Sequence, residues 1–109
     1  MKFLEKIDLQ ITLINQDWFY QKVELQDSST VDSYTLNTRG FICQLSEQIS
    51  GRWELTVIPG PERYSKNGSL FVGTCLFIDP YEAVFAAYHA VEAADRDFPW
   101  KPYPENAYF

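Results

Sequence analysis

An apolar run that stops at an aspartate and a proline constrains the fold of this chain more than any other feature. Residues 69–78 read Ser-Leu-Phe-Val-Gly-Thr-Cys-Leu-Phe-Ile and are apolar at nearly every position, which is typical of a strand covered on both faces. Asp79 can cap the free N–H groups of a helix, and Pro80 suits the first helical position. Glu82 then completes a capping box. The pattern predicts a strand followed at once by a long helix.

The predicted helix has one apolar face and one polar face. At about 100° per residue, one stripe contains Tyr81, Val84, Ala87, Tyr88, Val91 and Ala94. The opposite side carries Glu82, Phe85, His89, Glu92 and Arg96. Pro99 disfavours helical geometry at the residue before it, so we expect the helix to end near Asp97.

The N-terminal segment fits two structures. Residues 7–13 alternate apolar and polar side chains, which favours a half-buried strand. With a loop over 15–17, this strand would pair with residues 18–25, leaving Trp18 and Tyr20 on the solvent face. The alternative over residues 4–18 is a helix, because a heptad spacing relates Leu4, Ile7, Ile11, Ile14 and Trp18. We predict the strand, since four of residues 7–14 are β-branched.

Glycines locate the central hairpins. A short strand over 33–36 and a strand over 41–46 are separated by residues 37–40, and this even-length loop keeps their apolar side chains on one face. A three-residue loop over 49–51, with Gly51 left-handed, leads into the next strand. The resulting register pairs Leu45 with Leu55 and Cys43 with Val57.

These elements predict an α+β fold, a curved antiparallel meander of five to six strands packed on one long C-terminal helix. Residues 1–97 form a single domain, and residues 98–109 form an extended aromatic and proline-rich tail packed on it. Six strands span about 29 Å and one helix about 10–12 Å, so the helix alone cannot cover the sheet. We expect the tail or a second subunit to supply the remaining cover.

The net charge of −6 restricts the partners. Residues 79–109 contain six acidic and two basic side chains, which favours a partner with a basic surface and disfavours nucleic acid and anionic membranes. The sequence has no apolar run of about 18 residues and no signal-peptide pattern at its start, so we expect a cytoplasmic protein. Cys43 and Cys75 lie in apolar strands and are expected to be buried free thiols.

Candidate chemistry is sparse. His89 is the single histidine, and Glu92 is the one nearby ligand that the helix would offer it, so no metal site is expected. A Cys75–His89 nucleophilic pair would require side chains that diverge in the predicted fold. Arg63 lies in a segment that we interpret as a hairpin connector. We therefore predict no catalytic residue and no cofactor.

The sequence favours a non-enzymatic protein–protein interaction module (a regulator, adaptor or inhibitor) that acts through an aromatic patch and an acidic helix face, and that forms a symmetric homodimer. The predicted contact residues are Trp18, Tyr20, Phe85, His89, Glu92, Asp95, Trp100 and Tyr103. One alternative is a single-stranded nucleic-acid-binding module that uses strand aromatics. Another is a small-ligand-binding or enzymatic domain enclosed by the curved sheet.

Overall fold

A computed structural model describes residues 2–63, 73–98 and 100 of the chain. Five antiparallel strands form one sheet in chain order, with a helix before and a helix after them. The α+β meander with a C-terminal helix is therefore confirmed. The elements are α1 (Phe3–Asn15), β1 (Phe19–Glu24), β2 (Thr30–Thr38), β3 (Phe41–Glu47), β4 (Trp53–Pro59), β5 (Gly73–Phe77) and α2 (Pro80–Ala94).

Both helices pack on the same face of the sheet. Helix α1 lies against β1, and α2 lies across β3, β4 and β5. Side chains from both helices join one core cluster with the inward side chains of β2, β3 and β4. The strand residues in this core are Tyr34, Leu36, Phe41, Cys43, Leu45, Trp53, Leu55 and Val57.

Helix α1 occupies the segment for which we predicted a strand, so that prediction was wrong and the helical alternative was correct. Leu9 and Leu13, four residues apart on one helix face, are fully buried in the core. The chain turns after the end of α1 at Asp17, whose φ is +70°. The Trp18 N–H then donates to the Leu13 carbonyl at 2.9 Å. The core needed a second cover over the sheet, and this outweighed the β-propensity of residues 7–14.

The change from strand to helix also moves two predicted contact residues. Trp18 is buried rather than exposed, and its indole Nε1–H donates to the hydroxyl of Tyr88 on α2 at 3.0 Å. Tyr20 is half-buried and pairs with Tyr34 across β1 and β2, on the face that the helices cover. The aromatic patch expected on the solvent face is therefore absent at these two residues.

The apolar faces of both central hairpins match the predictions, and so does the register between β3 and β4, but the register between β2 and β3 differs by two residues. Arg39 and Gly40, with φ of +50° and +77°, form a two-residue turn between β2 and β3. This turn is shorter than the predicted loop over 37–40, but its even length preserves the parity. Gly51 has a φ of +88° in the next turn, and the predicted pairs Leu45–Leu55 and Cys43–Val57 are both present.

Strand β5 differs from the predicted strand. Within the described residues it pairs with β4 alone, so it lies at an edge of the described sheet, and Gly73 to Leu76 are exposed. Cys75 is consequently exposed, whereas Cys43 is buried as predicted. Burial raises the pKa of the Cys43 thiol to about 11. Residues 69–72 of the predicted strand lie outside the described residues.

Helix α2 begins as predicted. The Asp79 carboxylate accepts a hydrogen bond from the Tyr81 N–H at 2.9 Å, and Pro80 occupies the first helical position. The helix ends at Ala94, three residues before the predicted end. Its buried side chains are Pro80, Ala83, Val84, Ala87, Val91 and Ala94. Neither described helix is long and apolar enough to cross a membrane.

Candidate functional site

The outward face of α1 is apolar. Leu9 and Leu13 point into the core, and five other apolar side chains lie on the opposite side within about 100° of the helical circle. These residues, with their exposed fractions, are Phe3 (76%), Leu4 (76%), Ile7 (37%), Ile11 (57%) and Ile14 (47%). We name them the α1 stripe. An outward apolar face is the reverse of the usual arrangement for a surface helix.

An open groove of about 870 Å³ lies between the beginnings of the two helices. Leu4, Ile78 and Tyr81 contribute apolar surface to it. Its three carboxylates already accept hydrogen bonds from the chain: Glu5 from the Lys2 N–H, Asp8 from the Tyr81 hydroxyl and Asp79 from the Tyr81 N–H. Because these groups are engaged locally, the groove favours contact over acid–base chemistry.

A polar cluster fastens α1 to the sheet. The Tyr20 hydroxyl donates to Asp32 Oδ1 at 2.8 Å, and the Asp32 N–H donates to Glu47 Oε1 at 3.3 Å. Lys6 of α1 lies 2.7 Å from Glu47 Oε2. Burial, together with the hydrogen bond to Asp32, raises the pKa of Tyr20 to about 12. Tyr20 therefore stays protonated near neutral pH and acts as a hydrogen-bond donor.

Tyr34 lies beside this cluster. Its ring centroid is 5.2 Å from that of Tyr20 and 6.3 Å from that of Trp53, so the ring is part of the core. Its buried hydroxyl has no hydrogen-bond partner within the described part of the chain. Burial and the nearby Asp32 raise the pKa of Tyr34 strongly. The ring therefore stabilises the core by packing, whereas burial of the hydroxyl lowers the stability of the fold.

The outer face of α2 brings together three of the predicted contact residues. Phe85 is 67% exposed, and its ring centroid lies 4.6 Å from that of His89. Glu92 is exposed one turn further along, and Glu82 is exposed one turn before Phe85. This face, which we name the α2 face, has an aromatic centre with carboxylates at both ends.

The other end of α2 is bound by Arg63. Only 3% of this residue is exposed. Its Nε and Nη2 donate to the Arg39 carbonyl at 2.8 and 2.6 Å, and its Nη1 donates to the Phe98 carbonyl at 2.8 Å and the Asp95 carbonyl at 3.2 Å. Nη2 also forms an ion pair with the Asp95 carboxylate. These bonds join the β2–β3 turn to the end of α2.

Two rings enclose the Arg63 guanidinium. Its carbon lies 4.8 Å from the Phe41 ring centroid and 3.8 Å from the Trp100 ring centroid. Gly40 allows this arrangement, because a Cβ there would lie 2.8 Å from the Trp100 ring. We name the group formed by Arg63, Asp95 and Trp100 the arginine clasp.

The clasp changes how two predicted contact residues are interpreted. Asp95 and Trp100 both bind Arg63, whereas Phe85 contacts His89. Tyr103 lies outside the described residues. Sequence reasoning missed the clasp because the partners of Arg63 come from distant segments. It also missed the α1 stripe, although the heptad spacing of Leu4 to Ile14 was the signal for it.

The strands present little aromatic surface to solvent. Among the aromatic side chains of the described strands, Phe19 of β1 is the exposed one, while Tyr20 lies on the covered face. In residues 2–63, 73–98 and 100, no three His, Cys, Asp or Glu side chains lie close enough to hold a metal ion.

Comparisons with protein-family models, curated proteins and solved structures found no match to this chain.

Proposed function

We propose that the chain is a non-enzymatic protein-interaction module, acting as a regulator, adaptor or inhibitor. The observation that carries this proposal is the apolar character of the outer helical layer. Leu4 and Ile11 of α1 and Phe85 of α2 are each more than half exposed, although they lie on the helices that cover the sheet. Clustered exposed apolar side chains of this kind are typical of protein contact surfaces.

The α2 face is proposed to bind a protein with a basic surface. Phe85 offers a large apolar anchor of the type that dominates binding energy. Glu82 and Glu92 flank it, and the chain carries a net charge of −6. Such carboxylates accelerate encounter with a basic partner and disfavour acidic ones.

The other functions considered have less support. The groove carboxylates Glu5, Asp8 and Asp79 all accept hydrogen bonds within the chain, which disfavours an acid–base role for them. Nucleic-acid binding by strand aromatics would need several exposed rings and a basic surface, but Phe19 is the exposed ring on the described strands.

We place this module in the cytoplasm. Cys43 and Cys75 are both free thiols, and Cys75 is exposed. An exposed free thiol is compatible with a reducing compartment, where disulfides rarely form.

The proposal is tested by comparing two phenylalanines of equal exposure. Phe85 and Phe19 are each 67% exposed, but Phe19 lies on β1. Tagged wild type, Phe85→Gln and Phe19→Gln are used to capture proteins from an extract of the host. We expect a basic protein to bind wild type and Phe19→Gln, to be lost with Phe85→Gln, and to dissociate as salt is added. The same set of captured proteins for all three chains would contradict the proposal.

A further inference from the structure

We propose that the α1 stripe binds the α1 stripe of a second copy of this chain, forming a symmetric dimer. The inference rests on the proposed function, in which the outer surfaces of both helices bind proteins, and it names the partner of the α1 surface. It concerns α1, whereas the basic partner is assigned to α2. The dimer and the partner complex can therefore fail separately.

The spacing of the stripe is that of a helix–helix seam. Leu4 and Ile11 are seven residues apart, and Ile7 and Ile14 repeat the same interval three residues later. These are the a and d positions of two heptads, a pattern that pairs one helix with another. Helix α1 packs on its own sheet through different residues, Leu9 and Leu13, so its seam is left for another helix.

The stripe is complementary to itself in either orientation. In an antiparallel pair, Leu4 faces the partner's Ile14, and Ile7 faces the partner's Ile11. In a parallel pair, each of these side chains faces its own counterpart. Both arrangements bring branched aliphatic side chains of similar volume together about a two-fold axis, as a closed dimer requires.

The charges of α1 also favour a second copy. Lys6 is paired with Glu47, and Asp8 accepts from Tyr81. The positions that flank the seam include the uncharged Gln10 and Asn15. Two such faces meet without strong like-charge repulsion. A helix that lies on an anionic membrane instead presents lysine and arginine along its polar face.

The available area indicates a reversible dimer. From the exposed fractions, the stripe presents about 400 Å² of apolar surface per copy. A standard interface buries about 800 Å² per partner, so the stripe alone forms a contact at the weak end of the range. The groove beside Leu4, which Ile78 also lines, extends the same surface. We therefore expect dissociation in the micromolar range.

The test measures mass as a function of concentration by sedimentation equilibrium, from low micromolar to several hundred micromolar. Wild type should rise from 12.7 kDa towards twice that mass. Leu4→Gln/Ile11→Gln should stay monomeric, and so should Phe3→Gln/Ile14→Gln, which alters the two ends of the stripe. Phe85→Gln, the matched control on α2, should dimerise like wild type. Circular dichroism establishes that each variant is folded before its mass is compared.

Three results would overturn the inference. One is a wild type that stays monomeric throughout, and another is dimerisation that persists in both folded stripe variants. The third is stripe-dependent flotation of the monomer with phosphatidylserine vesicles, which would assign α1 to a membrane surface. If wild type is monomeric but Phe85-dependent capture of a basic protein persists, the inference fails and the proposed function stands. If the dimer forms and Phe85-dependent capture of a basic protein is absent, the inference stands and the proposed function fails.

Discussion

The two helices cover the same sheet in different ways. Helix α2 buries small side chains such as Ala83 and Ala87, which allow its backbone to approach β3, β4 and β5 closely. Helix α1 buries Leu9 and Leu13, while Ile11 and the rest of the α1 stripe remain outside. The difference teaches that the most apolar face of a helix need not be the face that packs on its own sheet.

The helices also differ in how they are fastened. The Asp79 carboxylate caps the start of α2, and Arg63 binds carbonyl groups at its end. For α1, the described contacts to the sheet include the two buried leucines and the Lys6–Glu47 ion pair. Helix α2 is thus held at both ends by polar groups, whereas α1 is held between its ends by two buried leucines and an ion pair to the sheet. The predictions below separate these two modes.

The largest expected loss follows from removing the clasp. Arg63→Ala leaves the carbonyl groups of Arg39, Asp95 and Phe98 without their buried donor, which should reduce the free energy of unfolding by about 3–5 kcal/mol in total. Arg52→Ala, at an exposed arginine, should change it by less than about 0.5 kcal/mol. Urea denaturation of both variants measures the difference. Equal effects would show that Arg63 does not anchor α2.

The next largest effect separates the two faces of α1. Leu13→Ala creates a cavity in the core and should cost about 2–5 kcal/mol. Ile11→Ala removes a side chain that is 57% exposed, so in the dilute monomer it should cost well under about 1 kcal/mol. Denaturation at low micromolar concentration gives both values. A large loss for Ile11→Ala would mean that the α1 stripe supports the monomer fold itself.

Two tyrosines beneath α1 should respond in opposite ways. Tyr20→Phe removes the hydroxyl that donates to the mostly buried Asp32, and should cost about 1–3 kcal/mol. Tyr34→Phe removes a buried hydroxyl that has no partner among the described residues, and should be neutral or stabilising. Thermal unfolding of the two variants provides the comparison. A destabilised Tyr34→Phe would reveal a hydrogen bond to that hydroxyl.

A gradual loss of stability in alkali is also expected. The pKa of Cys43 rises from 9.0 to about 11 in the folded state, and that of Tyr20 rises from 10.0 to about 12. The folded state therefore holds these protons more tightly, so its stability is full below pH 9 and decreases as the pH rises through 9–12.

Denaturation midpoints from pH 7 to 11 test this dependence. Cys43→Ala should flatten the first part of the decrease, whereas the control Cys75→Ala, at an exposed thiol, should leave it unchanged. A midpoint that is constant over this range in wild type would contradict the assignment.

The sequence was most informative where the structure depends on neighbouring residues. The Asp79-Pro80 start of α2 and the Gly51 turn follow from local backbone preferences, and both were predicted correctly. The buried faces of β2, β3 and β4 were also predicted correctly, because a shift by one residue would turn a whole apolar face to solvent.

Prediction failed where distant segments decide the structure. Residues 7–13 alternate as in a strand, but the uncovered sheet favoured a helix that buries Leu9 and Leu13. Cys75 lies in an apolar run, but among the described strands its own strand is at an edge of the sheet, and its side chain is exposed. Arg63 had no local signal, since the hydrogen-bond partners of its guanidinium lie 24 or more residues away along the chain. Of the candidate site, the α2 face was predictable, whereas the α1 stripe was concealed by the strand interpretation.

Hydrogen–deuterium exchange at two protein concentrations tests most directly whether the outward face of α1 is an interface. Exchange is compared by mass spectrometry for peptides covering α1 and α2, at low micromolar and at several hundred micromolar protein. The α1 amides should become more protected at the higher concentration, while the α2 amides stay unchanged. Equal changes in both helices, or no change in α1, would contradict the claim that these two helices serve different surfaces.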